Sequence, residues 1–294
     1  MSVLELCNVE VVRRGRRILG GIDMTINKGD VYLLVGESGA GKTTVSGVAS
    51  GQIIPSRGSV RLFGDISTRQ RRRLGAYVGR PPLFRRLDMR DNLAIRALSL
   101  GVPNAEKSAD DLLERLGLSE FAHDRVETLP TGIVSWLGFA QALIASPDFL
   151  ILDGVLSGLD SPGRTRMLSA LLRLSREKET AVLLTSREIG SLSAIATRFG
   201  ILSGGTLAHE YSSEELLRVL KSTVRVMTNS TETTLVRLEE AFPDCAISLR
   251  EDGVIEISGS TLEEVSRALF SFPERIIELT ERRRLEDDLI RKGE

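Results

Sequence analysis

Short continuous apolar runs alternate with helically spaced segments along most of the chain. Val3-Leu4-Glu5-Leu6 and Gly29-Asp30-Val31-Tyr32-Leu33-Leu34-Val35 read as strands, the second running into glycines. Lys42 to Ala49 reads as the start of a helix, and Ser59 to Phe63 alternates like a half-exposed strand. The stretch from Arg80 to Leu129 is mostly helical, with apolar residues at helical spacing in Arg90 to Leu98 and Ala109 to Leu116. Val134 to Ala145 and Pro162 to Lys178 predict helices, while Phe149 to Asp153, Ala181 to Thr185 and Arg198 to Ser203 predict strands. Such alternation of buried strand and helix predicts an α/β fold with a mainly parallel sheet covered by helices.

After about Lys221 the texture changes. Thr223 to Asn229, Ala246 to Arg250 and Gly253 to Ser258 alternate as short strands, with helical patterns at Thr231 to Phe242 and Ser260 to Phe270. The expected organisation is a larger domain over 1–220, with a helical subdomain at about 80–135, and a small α+β domain over 221–294.

Composition narrows the classes without selecting one. The 294 residues are 41% hydrophobic and 27% charged, which argues against wholesale disorder. The formal net charge of -1 gives no global basic field, so nucleic acid is not an expected partner. The cluster Arg69-Gln70-Arg71-Arg72-Arg73 has no interleaved aromatics and reads as a solvated face. No run reaches the ~18 to 20 apolar residues of a membrane span, and the N-terminal residues lack a secretory pattern. Cys7 and Cys245 are too few for a disulfide framework. A cytoplasmic chain is expected, with any membrane role exercised through a partner. Lysine supplies only six of the 39 basic residues, so arginine dominates.

One motif carries chemistry. Gly36-Glu37-Ser38-Gly39-Ala40-Gly41-Lys42-Thr43 fits the phosphate-loop pattern GxxxxGK[ST], and it falls between a buried strand and a helix start. Glycines let backbone N–H groups converge on a phosphate chain, and the helix N-terminus adds favourable partial charge. Thr44 follows in the same turn. Lys42 is placed for β- and γ-phosphate oxygens, Thr43 for Mg²⁺. Asp153, closing the strand Phe149-Leu150-Ile151-Leu152, is the candidate carboxylate that orients a Mg²⁺-bound water. The expected cofactors are ATP and Mg²⁺.

With these two elements in place, residues 3 to 215 resemble the ATP-binding cassettes of ABC transporters, a P-loop NTPase family. The resemblance runs through Ser56-Arg57-Gly58-Ser59-Val60, Arg90-Asp91-Asn92-Leu93, Ala140 to Pro147, and the D-loop Ser157-Gly158-Leu159-Asp160. The tail Leu285-Glu286-Asp287-Asp288-Leu289-Ile290 resembles the end of the extra domain in export-type members. The resemblance implies a membrane permease partner that seats a coupling helix near Arg80 to Leu98, where Pro81-Pro82-Leu83-Phe84 offers apolar surface. It also implies head-to-tail pairing of cassettes and a place on the inner face of the cell membrane.

Several family positions are altered here. The adenine-stacking aromatic falls on Arg13, and the Q-loop glutamine on Arg80. The signature LSGGQ, which clamps the partner's γ-phosphate, falls on Leu129-Pro130-Thr131-Gly132-Ile133. The general-base glutamate is Gly154 and the switch histidine is Arg187. A positioned base contributes roughly 10² to 10⁴-fold, so binding without efficient hydrolysis is the expectation. That in turn favours a heterodimer with a second, intact cassette. Two alternatives stay open: an ATP-binding regulatory or immunity subunit, and a slow but active ATPase that drives transport. A phosphoryl-transfer kinase fits poorly with the D-loop.

Overall fold

A computed structural model describes residues 1–64, 73–79, 82–219, 223–250 and 252–282. Arg80, Pro81, Arg69, Arg71, Arg72 and the tail from Leu285 to Ile290 lie outside the described residues. By its contacts the chain divides into two compact units, Met1–Glu210 and a second beginning at Tyr211. That division falls earlier than the change of texture near 220.

The first unit opens with a long hairpin, β1 (Ser2–Arg13) and β2 (Arg16–Asn27), followed by β3 (Val31–Val35) and α1 (Lys42–Ala49). Next come β4 (Arg57–Leu62), β5 (Leu74–Tyr77), α2 (Met89–Ser99), α3 (Ala105–Leu116) and α4 (Thr131–Leu143). The chain then alternates through β6 (Phe149–Asp153), α5 (Ser161–Lys178), β7 (Ala181–Ser186), β8 (Arg198–Ser203) and β9 (Thr206–Ser212), the last of which crosses into the second unit.

Among the described residues, one sheet has the order β2-β1-β4 and pairs antiparallel. Another has the order β5-β6-β7-β3-β8-β9, with parallel pairing from β5 through β8. All five residues of β3 are buried, as expected of a parallel strand covered on both faces. The parallel arrangement sets the carboxyl ends of β3, β7 and β6 side by side, and this positions the site.

Tyr32 shows how firmly β3 is tied in. Its buried hydroxyl donates to Glu210 Oε1 at 2.7 Å. Burial first, and then the Glu210 charge, push its pKa far above the ordinary phenol range.

The helical segment is closed by a buried amide. Asn92 of α2 is fully buried; its Oδ1 accepts from Phe84 N at 2.8 Å, and its Nδ2 donates to the carbonyls of Phe84 at 3.0 Å and Asp88 at 2.8 Å. One side chain thus fixes the loop from Phe84 to Asp88 against α2. Asp88 in turn caps the helix, accepting from Asp91 N at 2.7 Å. Arg90 ties α2 to α3 through Asp110 at 2.6 Å.

The second unit contains α6 (Ser213–Val219), then β10 (Thr223–Thr228), α7 (Thr231–Ala241), β11 (Ala246–Leu249), β12 (Ile255–Ser258), α8 (Leu262–Leu269) and β13 (Ile276–Arg282). Its antiparallel sheet has the order β11-β12-β10-β13. The core is Val224, Val226, Leu238, Ile255, Ile257, Val265 and Leu269. Alternation in Thr223–Thr228 places Val224 and Val226 on the covered face. Thr261 and Glu264 form a capping box at the start of α8.

Replacing Asn92 by Ala strands the backbone groups it pairs. We expect Asn92→Ala to lower unfolding free energy by about 2 to 4 kcal/mol, measured by urea denaturation.

Candidate nucleotide site

The loop from Gly36 to Gly41 leaves the end of β3 and delivers Lys42, Thr43 and Thr44 to the first turn of α1. Two glycines are there because nothing larger fits. A Cβ on Gly36 would collide with the carbonyl oxygen of Leu202 in β8. Gly41, the N-cap, has φ +109°, and a Cβ there would come 2.8 Å from Leu19 Cδ2. The loop is therefore pressed against β2 and β8.

The Lys42 ammonium lies over this loop, donating to the carbonyls of Gly36 at 2.7 Å and Glu37 at 2.8 Å. Burial is the main reason its pKa is lowered. The charge of Asp153 opposes that shift and the charge of Arg187 adds to it. Arg187, just past the end of β7, is thus close enough to Lys42 for the two cations to repel.

Asp153 and Thr43 meet. Thr43 Oγ1 donates to Asp153 Oδ2 at 2.8 Å. The other carboxylate oxygen, Oδ1, accepts from Thr185 Oγ1 at 2.6 Å, and Thr185 Oγ1 also accepts from Gly154 N at 3.1 Å. Thr185 is buried and lies in register with Asp153 across the β6–β7 pair. Sequence reasoning missed this residue. The available signal was a hydroxyl closing an otherwise apolar strand, Ala181-Val182-Leu183-Leu184-Thr185.

Tyr77 is a second such residue. Its pKa is raised chiefly by burial and also by the nearby Asp153 charge, while its hydrogen bond with Ser135 of α4 acts in the opposite direction.

Thr43 and Asp153 could hold Mg²⁺. Their oxygens stand 2.8 Å apart, close to the cis spacing of about 3 Å in an octahedral shell with ~2.1 Å bonds, and both are hard donors.

Gly154 has φ +67° and open space where a Cβ would stand. Nearby acids have other tasks. Glu188 pairs with Arg164 at 3.1 Å, and Asp160 caps α5 by accepting from Gly163 N at 2.9 Å.

Leu129, Pro130, Thr131, Gly132 and Ile133 lie at the amino end of α4, with Pro130 as its N-cap. Among the described residues, no hydrogen bond or ion pair joins them to the phosphate loop. They pack instead against the D-loop: a Cβ on Gly132 would come 3.3 Å from Gly158 O, and one on Gly158 would come 2.9 Å from Ser135 Oγ. Arg13 is exposed at the end of β1, at the tip of the first hairpin.

Comparison with known proteins bears on the family and the fold. Residues 19–157 match the ABC transporter family model. The uncharacterized ABC transporter ATP-binding protein YhcH of Bacillus subtilis (strain 168) is 35% identical over 210 residues, spanning 70% of this chain and 68% of its own. The lantibiotic transport ATP-binding protein SrtF of Streptococcus pyogenes is 31% identical over 221 residues, 74% of this chain and 95% of its own. The bacitracin transport ATP-binding protein BcrA of Bacillus licheniformis is 27% identical over 260 residues, 87% and 85%. In fold, the chain is similar to the ATP-binding cassette MJ0796 in its post-hydrolysis state bound to ADP and Pi. The TM-score is 0.67 at 20% identity, over 71% of this chain and 98% of that one. The chain belongs to the ATP-binding proteins of ABC transporters, and it has their α/β P-loop NTPase fold. No helix among the described residues is long and apolar enough to cross a membrane.

Thr185 holds the Asp153 carboxylate through its hydroxyl. We expect Thr185→Val to weaken ATP binding about tenfold when measured with Mg²⁺, and Thr185→Ser to retain it. In EDTA, all three proteins should bind alike by titration calorimetry.

Proposed function

We propose that this chain is the nucleotide-holding subunit of an export-type ABC transporter, in which binding is kept and hydrolysis at its own phosphate loop is weak. The observation that carries the reading is Gly154. It follows Asp153 directly, where a carboxylate would polarise an attacking water, and its own N–H is spent on Thr185. Two acids of the loops after β6 and β7, Asp160 and Glu188, are engaged with the start of α5 and with Arg164. The phosphate-binding half of the site is intact, with Lys42 on its loop and Thr43 against Asp153. Arg187 adds a fixed cation that favours a retained γ-phosphate. Magnesium held by Thr43 and Asp153 would neutralise phosphate charge.

Pro130 bears on the opposite site of a cassette pair. It has no N–H to offer a phosphate, so Thr131 and the first-turn N–H groups of α4 are what remain to clamp a partner's nucleotide. Two copies of this chain would put a missing base in both sites. A heterodimer with an intact cassette confines that loss to one site, and is the assembly proposed.

A permease would dock on the helical segment, where Phe84 and Leu98 are 53% and 65% exposed. A chain docked in this way would sit on the cytoplasmic face of the membrane. The export direction draws support from the relatives named for bacitracin and lantibiotic transport. The 260-residue alignment to the former is longer than the first unit and so reaches the second.

The purified chain should bind ATP, and Lys42→Ala should abolish that binding. Its turnover should be no higher than that of Lys42→Ala in a phosphate-release assay. Steady turnover at ordinary enzyme rates that disappears in Lys42→Ala would refute the weak-hydrolysis reading.

A further inference from the structure

Three parts of the fold meet at Ser135, near the start of α4. The residue is buried, and its Oγ lies 3.2 Å from Thr131 O, one turn back along the helix. The D-loop closes over both residues: a Cβ on Gly158 would come 2.9 Å from Ser135 Oγ and 3.3 Å from Thr131 Cγ2. From the sheet comes Tyr77 of β5, whose hydroxyl hydrogen-bonds with Ser135 and lies within the field of Asp153. Such a close approach of β5 to α4 is possible because Gly75, two residues before Tyr77, has no side chain. A Cβ there would collide with Ala142 O of α4.

Counting protons makes this junction a two-way one. A serine hydroxyl has one hydrogen to donate and lone pairs with which to accept. Ser135 has two acceptors for that hydrogen, Thr131 O and the phenol oxygen of Tyr77. If it donates to Thr131 O, Tyr77 donates to Ser135. If it donates to Tyr77, Thr131 O loses its side-chain partner and the phenol hydrogen is released to point elsewhere. Burial raises the pKa of Tyr77, the Ser135 bond opposes the shift and the Asp153 charge adds to it, so the phenol keeps its hydrogen in both arrangements.

The charge at Asp153 chooses between them. A bare carboxylate draws the positive end of the phenol O–H dipole toward itself, and Ser135 then donates to Tyr77. With Asp153 neutralised by a bound Mg²⁺ that pull is gone. Tyr77 then donates to Ser135, and Ser135 to Thr131 O, which tightens the first turn of α4.

We propose that Tyr77 and Ser135 are positioning residues that carry the charge state of the Thr43–Asp153 pair to Thr131. The proposal rests on the reading of Gly36 to Thr43 as a triphosphate site. It ties the filling of this chain's own site to the shape of the turn it would offer to a partner's nucleotide.

The only tryptophan of the chain is placed to report on that turn. Trp136 follows Ser135, is 4% exposed and packs edge-on against Phe139. Its emission is read in the full chain at saturation with MgATP, and again with ATP in EDTA, saturation being set by titration calorimetry. MgATP should change the emission and slow hydrogen exchange of the 131–136 amides, and ATP in EDTA should do neither. Tyr77→Phe keeps the ring and loses the hydroxyl; saturated with MgATP, it should show neither response. A response of full size in Tyr77→Phe would overturn the proposal. So would an equal response in EDTA, or a parent chain that binds MgATP with no change at this turn. If Tyr77→Phe fails to fold, Ser135→Ala decides in the same way by hydrogen exchange. A chain that binds no ATP at all would overturn the triphosphate reading itself, a failure separate from loss of the relay.

Discussion

Both oxygens of the Asp153 carboxylate are committed, and the site depends on that. One meets the first turn of α1 through Thr43, the other the end of β7 through Thr185. In the sheet order, β7 stands between β6 and β3, so this single group joins the ends of all three strands. A carboxylate so placed would be costly without partners, because a partly buried charge needs its lone pairs satisfied. Two hydroxyls meet that need, and by doing so fix the distance between the glycine-rich loop and the candidate metal-binding oxygen.

Everything else in the site is arranged around this join. Gly36 and Gly41 let the loop lie against β8 and β2, which sets how far Lys42 can reach. Arg187 extends from the end of β7 just beyond Thr185, and its charge is felt at Lys42. The result is a site rich in fixed cations and oxygen donors, with no carboxylate at the position after Asp153. In the proposed reading such a balance would favour retention of a polyphosphate over its cleavage, because cations stabilise bound anions without supplying a group to take up a proton.

Much of this was legible in the sequence for definite reasons. The buried strands of a parallel sheet are uninterrupted apolar runs, so Val31 to Val35 and Phe149 to Asp153 stand out, and GxxxxGKT is constrained at four positions. β2 was not read as a strand, because Arg16 and Arg17 open it and Gly20 and Gly21 interrupt it. Its strand character comes from pairing with β1, which is a property of the fold. Thr185 escaped for the same kind of reason: its role is a register partnership with Asp153 across 32 residues of sequence. Tyr77 acquires its place only when β5 and α4 are set side by side. The second unit was foreseen as α+β from its alternating strands, but its strand order was not, since antiparallel pairings of short strands are fixed by packing more than by pattern.

The left-handed backbone of Gly154 has a consequence for how this chain can change. A glutamate inserted there has room for its side chain, but its backbone would have to hold φ +67°, a conformation that costs an L-residue about 1 to 2 kcal/mol. Relaxing that strain means turning the peptide and giving up the bond from Gly154 N to Thr185, which also steadies Asp153. The turn thus has a shape that suits glycine, and a glutamate placed at 154 works against the bond network that holds Asp153.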